Sequence, residues 1–142
     1  MDIEKSRWLV LVEKHQGNSI LLVEEENEVA LSVKLQLELD GFEVDMFTDP
    51  AAALEKYNTS PSTYQLVIVD MKMYRMSTFE FMRAVKTADA NSKILLITPF
   101  EIRPSEFSKM LPSSKVNGFI ERPFLSTRLI SSVKDVLGSP PL

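Results

Sequence analysis

The chain has 142 residues, one domain's worth, with 44% apolar and 25% charged residues, and this excludes a disordered, collagen-like or disulfide-scaffold chain. Cysteine is absent and His15 is the single histidine, which excludes disulfides, thiolate or His-rich metal sites and a cysteine nucleophile. Sixteen basic against twenty acidic residues give a net charge of −4, so the basic footprint of a nucleic-acid binder is missing; no apolar run approaches the roughly 18 residues that span a bilayer.

Residues 1–18 read as an extension ahead of the domain proper, 19–138, with 139–142 as a tail. Trp8-Leu9-Val10-Leu11-Val12 is too short for a signal peptide's apolar region and follows the acids Asp2 and Glu4, so a cytoplasmic protein is expected. From Ser19 the pattern alternates. Ile20–Val23 is a continuous apolar run, as in a strand buried on both faces. Asn27 as a cap and Gly41 as a stop bracket a helix over about 28–40. Phe42–Phe47 alternates apolar and polar, a second strand. Asp49-Pro50 opens a helix to about Tyr57. Leu66–Val69 is a third strand, ending at Asp70; Ser77 or Thr78 opens the next helix, to about Thr87. Ile94–Ile97 is a fourth strand, ending at Thr98. A short helix is expected after Pro104 and before Pro112, a fifth strand over Val116–Ile120, and a last helix over Pro123–Leu137 with Leu125, Leu129, Ile130, Val133, Val136 and Leu137 on one face. Five strands alternating with five helices imply an α/β fold with a parallel sheet covered on both sides.

The first helix is unusual. Val29, Leu31, Val33, Leu35, Leu37 and Leu39 repeat with a strand's period of two. On a helix they form two stripes, one through Val29, Ala30, Val33 and Leu37 and another through Leu31, Leu35 and Leu39. One stripe can face the sheet; the other is left over. The Trp8–Val12 run is expected to cover it, within the chain or across a homodimer built from the extension and this helix.

In parallel sheets, chemistry sits at the carboxyl ends of the strands. Those ends carry Glu24-Glu25-Glu26, Asp70, Thr98 and Glu121-Arg122-Pro123-Phe124. Clustered carboxylates repel unless a cation joins them, and oxygen ligands at an open cleft suit magnesium. Carboxylates, a hydroxyl and a cation together suit phosphoryl transfer onto Asp70. No glycine-rich phosphate cradle exists, since the four glycines stand at 17, 41, 118 and 138; a flavin or nucleotide enzyme is disfavoured.

Ser19 to Leu137 resembles a response-regulator receiver domain. The resemblance is carried by Ile-Leu-Leu-Val-Glu-Glu-Glu-Asn at 20–27, Gly41-Phe42-Glu43-Val44, Leu-Val-Ile-Val-Asp-Met-Lys-Met at 66–73, Ile97-Thr98 and Gly118–Phe124. It implies a flavodoxin-like doubly wound sheet of five strands in the order 2-1-3-4-5, with five helices. It implies that Asp70 accepts a phosphoryl group from a histidine kinase or phosphotransfer protein, and that Glu24, Glu25, Asp70 and the Lys72 carbonyl hold Mg2+. Thr98 would bind a phosphoryl oxygen, and Phe119 would stand at the aromatic switch position. No effector domain lies within these residues, so output would pass by contact with another protein.

Several residues depart from the family pattern. The acid pair is Glu-Glu, and the usual Lys is Arg122, which is planar and able to bridge carboxylates permanently. The turn Met73-Tyr74-Arg75-Met76-Ser77-Thr78 lacks the usual Pro and Gly, and Pro99 follows Thr98. Two expectations follow: a phosphoaccepting receiver, or a pseudo-receiver that Arg122 and the Glu pair lock in one state.

Overall fold

Three strands are buried throughout and each carries a run of four apolar residues: β1 (Ser19–Val23), β3 (Leu66–Asp70) and β4 (Ile94–Thr98). β2 (Glu43–Phe47) keeps an alternating pattern, as an edge strand does, and β5 (Gly118–Glu121) closes the other edge. In this computed structural model, which describes residues 19–60, 63–99 and 116–138, all five strands pair in parallel in the order β2-β1-β3-β4-β5. Four helices join them among the described residues: α1 (Asn27–Leu39), α2 (Pro50–Thr59), α3 (Thr78–Ala88) and α4 (Ser126–Gly138). The helix expected between Pro104 and Pro112 lies outside the described residues, as do the extension 1–18 and the tail 139–142.

The pleat of the strands divides the core in two. Leu21, Val23, Val67, Val69 and Leu96 point to one face, where Ala53 and Tyr57 of α2 and Phe81, Met82 and Val85 of α3 cover them. Ile20, Leu22, Leu66, Ile68, Leu95 and Ile97 point to the other, under Val33 and Leu37 of α1 and Leu129, Val133 and Val136 of α4. The period-two sequence of α1 is helical. Ala30, Val33 and Leu37 are buried, while Leu31, Leu35 and Leu39 are exposed. Gly41, at φ 95°, turns the chain out of α1: its amide donates to the Glu38 carbonyl and the Phe42 amide to that of Leu37.

Two helix starts differ from expectation. Asn27 is the first residue of α1 rather than its cap; Glu26 is the N-cap and offers no side-chain bond. The last helix begins at Ser126 instead of Pro123, because the Arg122 amide is bound to the Thr98 carbonyl and Leu125 supplies the early helical acceptor, for Leu129. Leu125 is therefore exposed and does not join the apolar face of α4. The Asp49 carboxylate caps α2 through the Ala51 amide, as read from the sequence, and the Ser77 hydroxyl caps α3 through that of Phe79, which decides between the two starts, Ser77 and Thr78, that the sequence offered.

Gly118 is a packing glycine. A Cβ placed on it would lie 2.8 Å from Val136 Cγ2 and 3.3 Å from Leu95 Cδ1, both in the core. Gly118→Ala is expected to destabilise the fold by about 1–3 kcal/mol, the usual range for overpacking. Urea unfolding reads this directly, and Val136→Ala in the same chain should recover part of the loss; no recovery would mean the two sites are not coupled.

Candidate functional site

The carboxyl edge of the sheet gathers the residues named from the strand ends. Asp70 is the last residue of β3, opposite Ile97 of β4; Thr98 ends β4, opposite Glu121 of β5. Backbone bonds extend this ladder one residue past the strands. The Glu24 amide donates to the Phe47 carbonyl at 3.0 Å, that of Met71 to Ile97 at 2.8 Å, and that of Arg122 to Thr98 at 2.9 Å. Side chains some fifty to a hundred residues apart in sequence are thereby set on one rim.

At its centre are two buried carboxylates and one guanidinium. Arg122 Nη2 donates to Glu24 Oε2 at 2.5 Å and to Asp70 Oδ2 at 3.1 Å. Glu24 and Asp70 are almost wholly buried, and Arg122 keeps about a quarter of its side chain in solvent. Burial pushes the Glu24 carboxyl up to about 7; its hydrogen bond with Asp70 and the Asp70 charge add to the rise. The Glu26 amide and the Arg122 charge pull the other way without reversing it. Near neutral pH a proton held on Glu24 thus relieves its repulsion with Asp70, as the guanidinium does.

Glu25 goes elsewhere. Its Oε1 accepts from the Tyr74 amide at 2.7 Å and its Oε2 from the Arg75 amide at 2.9 Å. One carboxylate therefore holds two successive amides of the β3–α3 loop, the segment that lacks Pro and Gly. Nothing in the local sequence signals this clamp, because its two halves are 49 and 50 residues apart. Glu25→Gln is expected to speed hydrogen exchange at the Tyr74 and Arg75 amides by roughly tenfold, since a charge-assisted bond is about twice as strong as a neutral one. Unchanged exchange at both amides would show that the clamp does not order the loop.

The other named residues are placed as follows. The Lys72 amide donates to Asp70 Oδ1 at 3.2 Å, and the Lys72 side chain is exposed. Thr98 is buried at the rim. Phe119 is half-buried on β5 and packs against the core face that α2 and α3 cover. Thr78, missed in the sequence as more than a helix start, is buried; its hydroxyl meets the Asp70 carbonyl at 2.8 Å and that of Met71 at 3.0 Å. Among the described residues no group of three His, Cys, Asp or Glu side chains is arranged to hold a metal. Arg122 Nη2 stands between Glu24 and Asp70, and Glu25 is turned to the Tyr74 and Arg75 amides, so the three carboxylates do not converge on one point. As arranged, this donor set fits a guanidinium and not magnesium.

A five-stranded parallel sheet in the order 2-1-3-4-5, with acids and a fixed cation on its carboxyl rim, is a flavodoxin-like α/β architecture. The family profile described as "Response regulator receiver domain" matches residues 20–134, and the chain belongs to that family, the receiver family of two-component signal transduction. It is 24% identical over 118 residues to the "Uncharacterized transcriptional regulatory protein YkoG" of Bacillus subtilis, covering 83% of this chain and 50% of that protein. It is 26% identical over 121 residues to the "Transcriptional regulatory protein CpxR homolog" of Haemophilus influenzae, covering 84% and 50%. Among solved structures, a receiver domain from Clostridium thermocellum superposes with a TM-score of 0.74 at 20% identity, over 84% of this chain and 94% of that one. The chain spans about half the length of the curated relatives it matches. Receiver domains in general interact with histidine kinases and output proteins and bind Mg2+ in the acidic pocket. No helix among the described residues is long and apolar enough to cross a membrane.

Proposed function

We propose that the chain is a cytoplasmic receiver that takes a phosphoryl group on Asp70 from a histidine kinase or phosphotransfer protein and signals by contact with an output protein. One observation carries this reading: the Asp70 carboxylate, buried at the carboxyl end of the central strand, lies against a guanidinium whose buried Nε has no acceptor among the described residues. That Nε–H is a donor a phosphoryl oxygen on Asp70 would satisfy. In the transfer, an Asp70 oxygen attacks the phosphorus of a phosphohistidine. The P–O bond forms as the P–N bond breaks, and the imidazole leaves with the electron pair. Arg122 neutralises the equatorial oxygens. Thr98 is assigned a phosphoryl oxygen and Phe119 the switch, by their places on β4 and β5. Glu24, Glu25, Asp70 and the Lys72 carbonyl stand at the family's magnesium positions; an ion could use them only after Arg122 released the two acids and Glu25 released the loop.

A second reading is favoured by the Arg122 bridge itself. A guanidinium already holding both acids makes a pseudo-receiver, an interaction module that works without phosphorylation. Acetyl phosphate or beryllofluoride, each with magnesium, separates the two. Backbone shift changes at Asp70 and Thr98, absent in Asp70→Asn, support phosphate acceptance. Spectra that stay the same with both reagents overturn it in favour of the interaction module.

A further inference from the structure

The side of α1 away from the sheet has no partner among the described residues. Leu31, Leu35 and Leu39 are 42%, 59% and 90% exposed there. They follow one another at four-residue spacing, so they make a strip about 12 Å long at 1.5 Å rise per residue. Three aligned leucines on a surface helix are an apolar patch that calls for a cover. The chain also carries five consecutive apolar residues, Trp8–Val12, outside the family match at 20–134.

The topology brings the two together. Ser19, where β1 starts, pairs with Glu43, where β2 starts. Leu39 is only four residues before Glu43, and Gly41 turns the chain between them. The leucine strip therefore ends beside the point where residue 18 joins the sheet. Residues 13–18 can reach up to about 20 Å when extended. Trp8–Val12, about 13 Å long as a strand, matches the strip. Such a short tether holds the segment near α1 at an effective concentration in the millimolar range, well above the protein concentration at which a second copy could compete.

We propose that Trp8–Val12 docks in cis on the Leu31/Leu35/Leu39 strip and forms an additional layer over α1. The proposal is independent of phosphorylation at Asp70. Trp8 is the only tryptophan, so its fluorescence reads the docking in the full chain without a label. The expected result is a blue-shifted emission, poorly quenched by acrylamide, at all protein concentrations. Leu35→Asp and Leu31→Asp, at positions already exposed, should each shift the emission to that of the urea-unfolded chain while leaving the far-ultraviolet circular dichroism unchanged. Three results overturn the proposal. One is a wild-type emission already matching the unfolded chain. Another is shielding that is lost on dilution together with a fall in sedimentation coefficient, which would assign the cover to a second copy. The third is a shielded Trp8 that neither substitution affects.

Discussion

Arg122→Ala is expected to lower folding stability at pH 8 by about 2–4 kcal/mol, the cost of removing one partner from a buried ionic group, moderated by the part of Arg122 in solvent. The change leaves Glu24 and Asp70 face to face without the guanidinium that now touches both. The remaining relief is the proton. Arg122 holds the Glu24 carboxyl down, so without it Glu24 binds its proton more tightly still. The deficit should therefore shrink as pH falls through 7 towards 5, and urea unfolding at both ends of that range measures it. Millimolar magnesium should raise the stability of Arg122→Ala more than that of the wild type, because a ligand that binds only the folded state stabilises it by mass action. Arg122→Lys should recover much of the loss. A deficit equal at pH 5 and pH 8, with no response to magnesium, would mean that the guanidinium contributes packing and little charge compensation.

Glu24→Gln tests the same centre from the acid side, and the sign is opposite to that of an ordinary salt-bridged carboxylate. The folded-state carboxyl sits at about 7 against 4.5 for the free group, so between these values the folded chain binds a proton that the unfolded chain has lost. Stability from this group is fully present below about 4.5, falls as pH rises, and is gone above about 7. At roughly 1.4 kcal/mol per pKa unit the decline amounts to about 3–4 kcal/mol. Glu24→Gln cannot ionise, so the difference in stability, variant minus wild type, should climb across this interval and level off above it. A difference that is flat with pH would place the proton elsewhere.

Much of the architecture could be read from residue patterns for a physical reason. Ile20–Val23, Leu66–Val69 and Ile94–Ile97 are buried on both faces, and burial on both faces leaves an unbroken apolar run. The position immediately after each run was enough to send Glu24, Asp70 and Thr98 to the rim. The α1 helix was readable only through its length and its Gly41 stop, because three of its four leucines, Leu31, Leu35 and Leu39, face away from the sheet and leave no helical period in the pattern. The destination of Glu25 was not readable. It depends on where the backbone amides of Tyr74 and Arg75 lie, and peptide groups carry no sequence signal of their own. The entry to α4 was misread from Pro123 because the preceding residue is tied to β4, which delays the first helical bond. Whether a carboxylate cluster recruits an ion or a guanidinium also depends on spacing: Arg122 is long enough to reach both acids, so the sequence showed the ingredients and left their pairing open.

The two hydrogen bonds of Thr78 couple parts of the molecule that would otherwise move separately. Its hydroxyl is stitched to the carbonyls of Asp70 and Met71, while its own backbone is the first residue of α3. The single hydroxyl proton is shared between the two carbonyls, so the peptides at the end of β3 and the first residue of α3 are tied directly, in parallel with the β3–α3 loop. The tie anchors the start of α3, 11 residues long, to the rim that carries Asp70. On the proposed function, a change at the buried Asp70 is expected to reach the outer surface of α3, where a contacting protein would meet it.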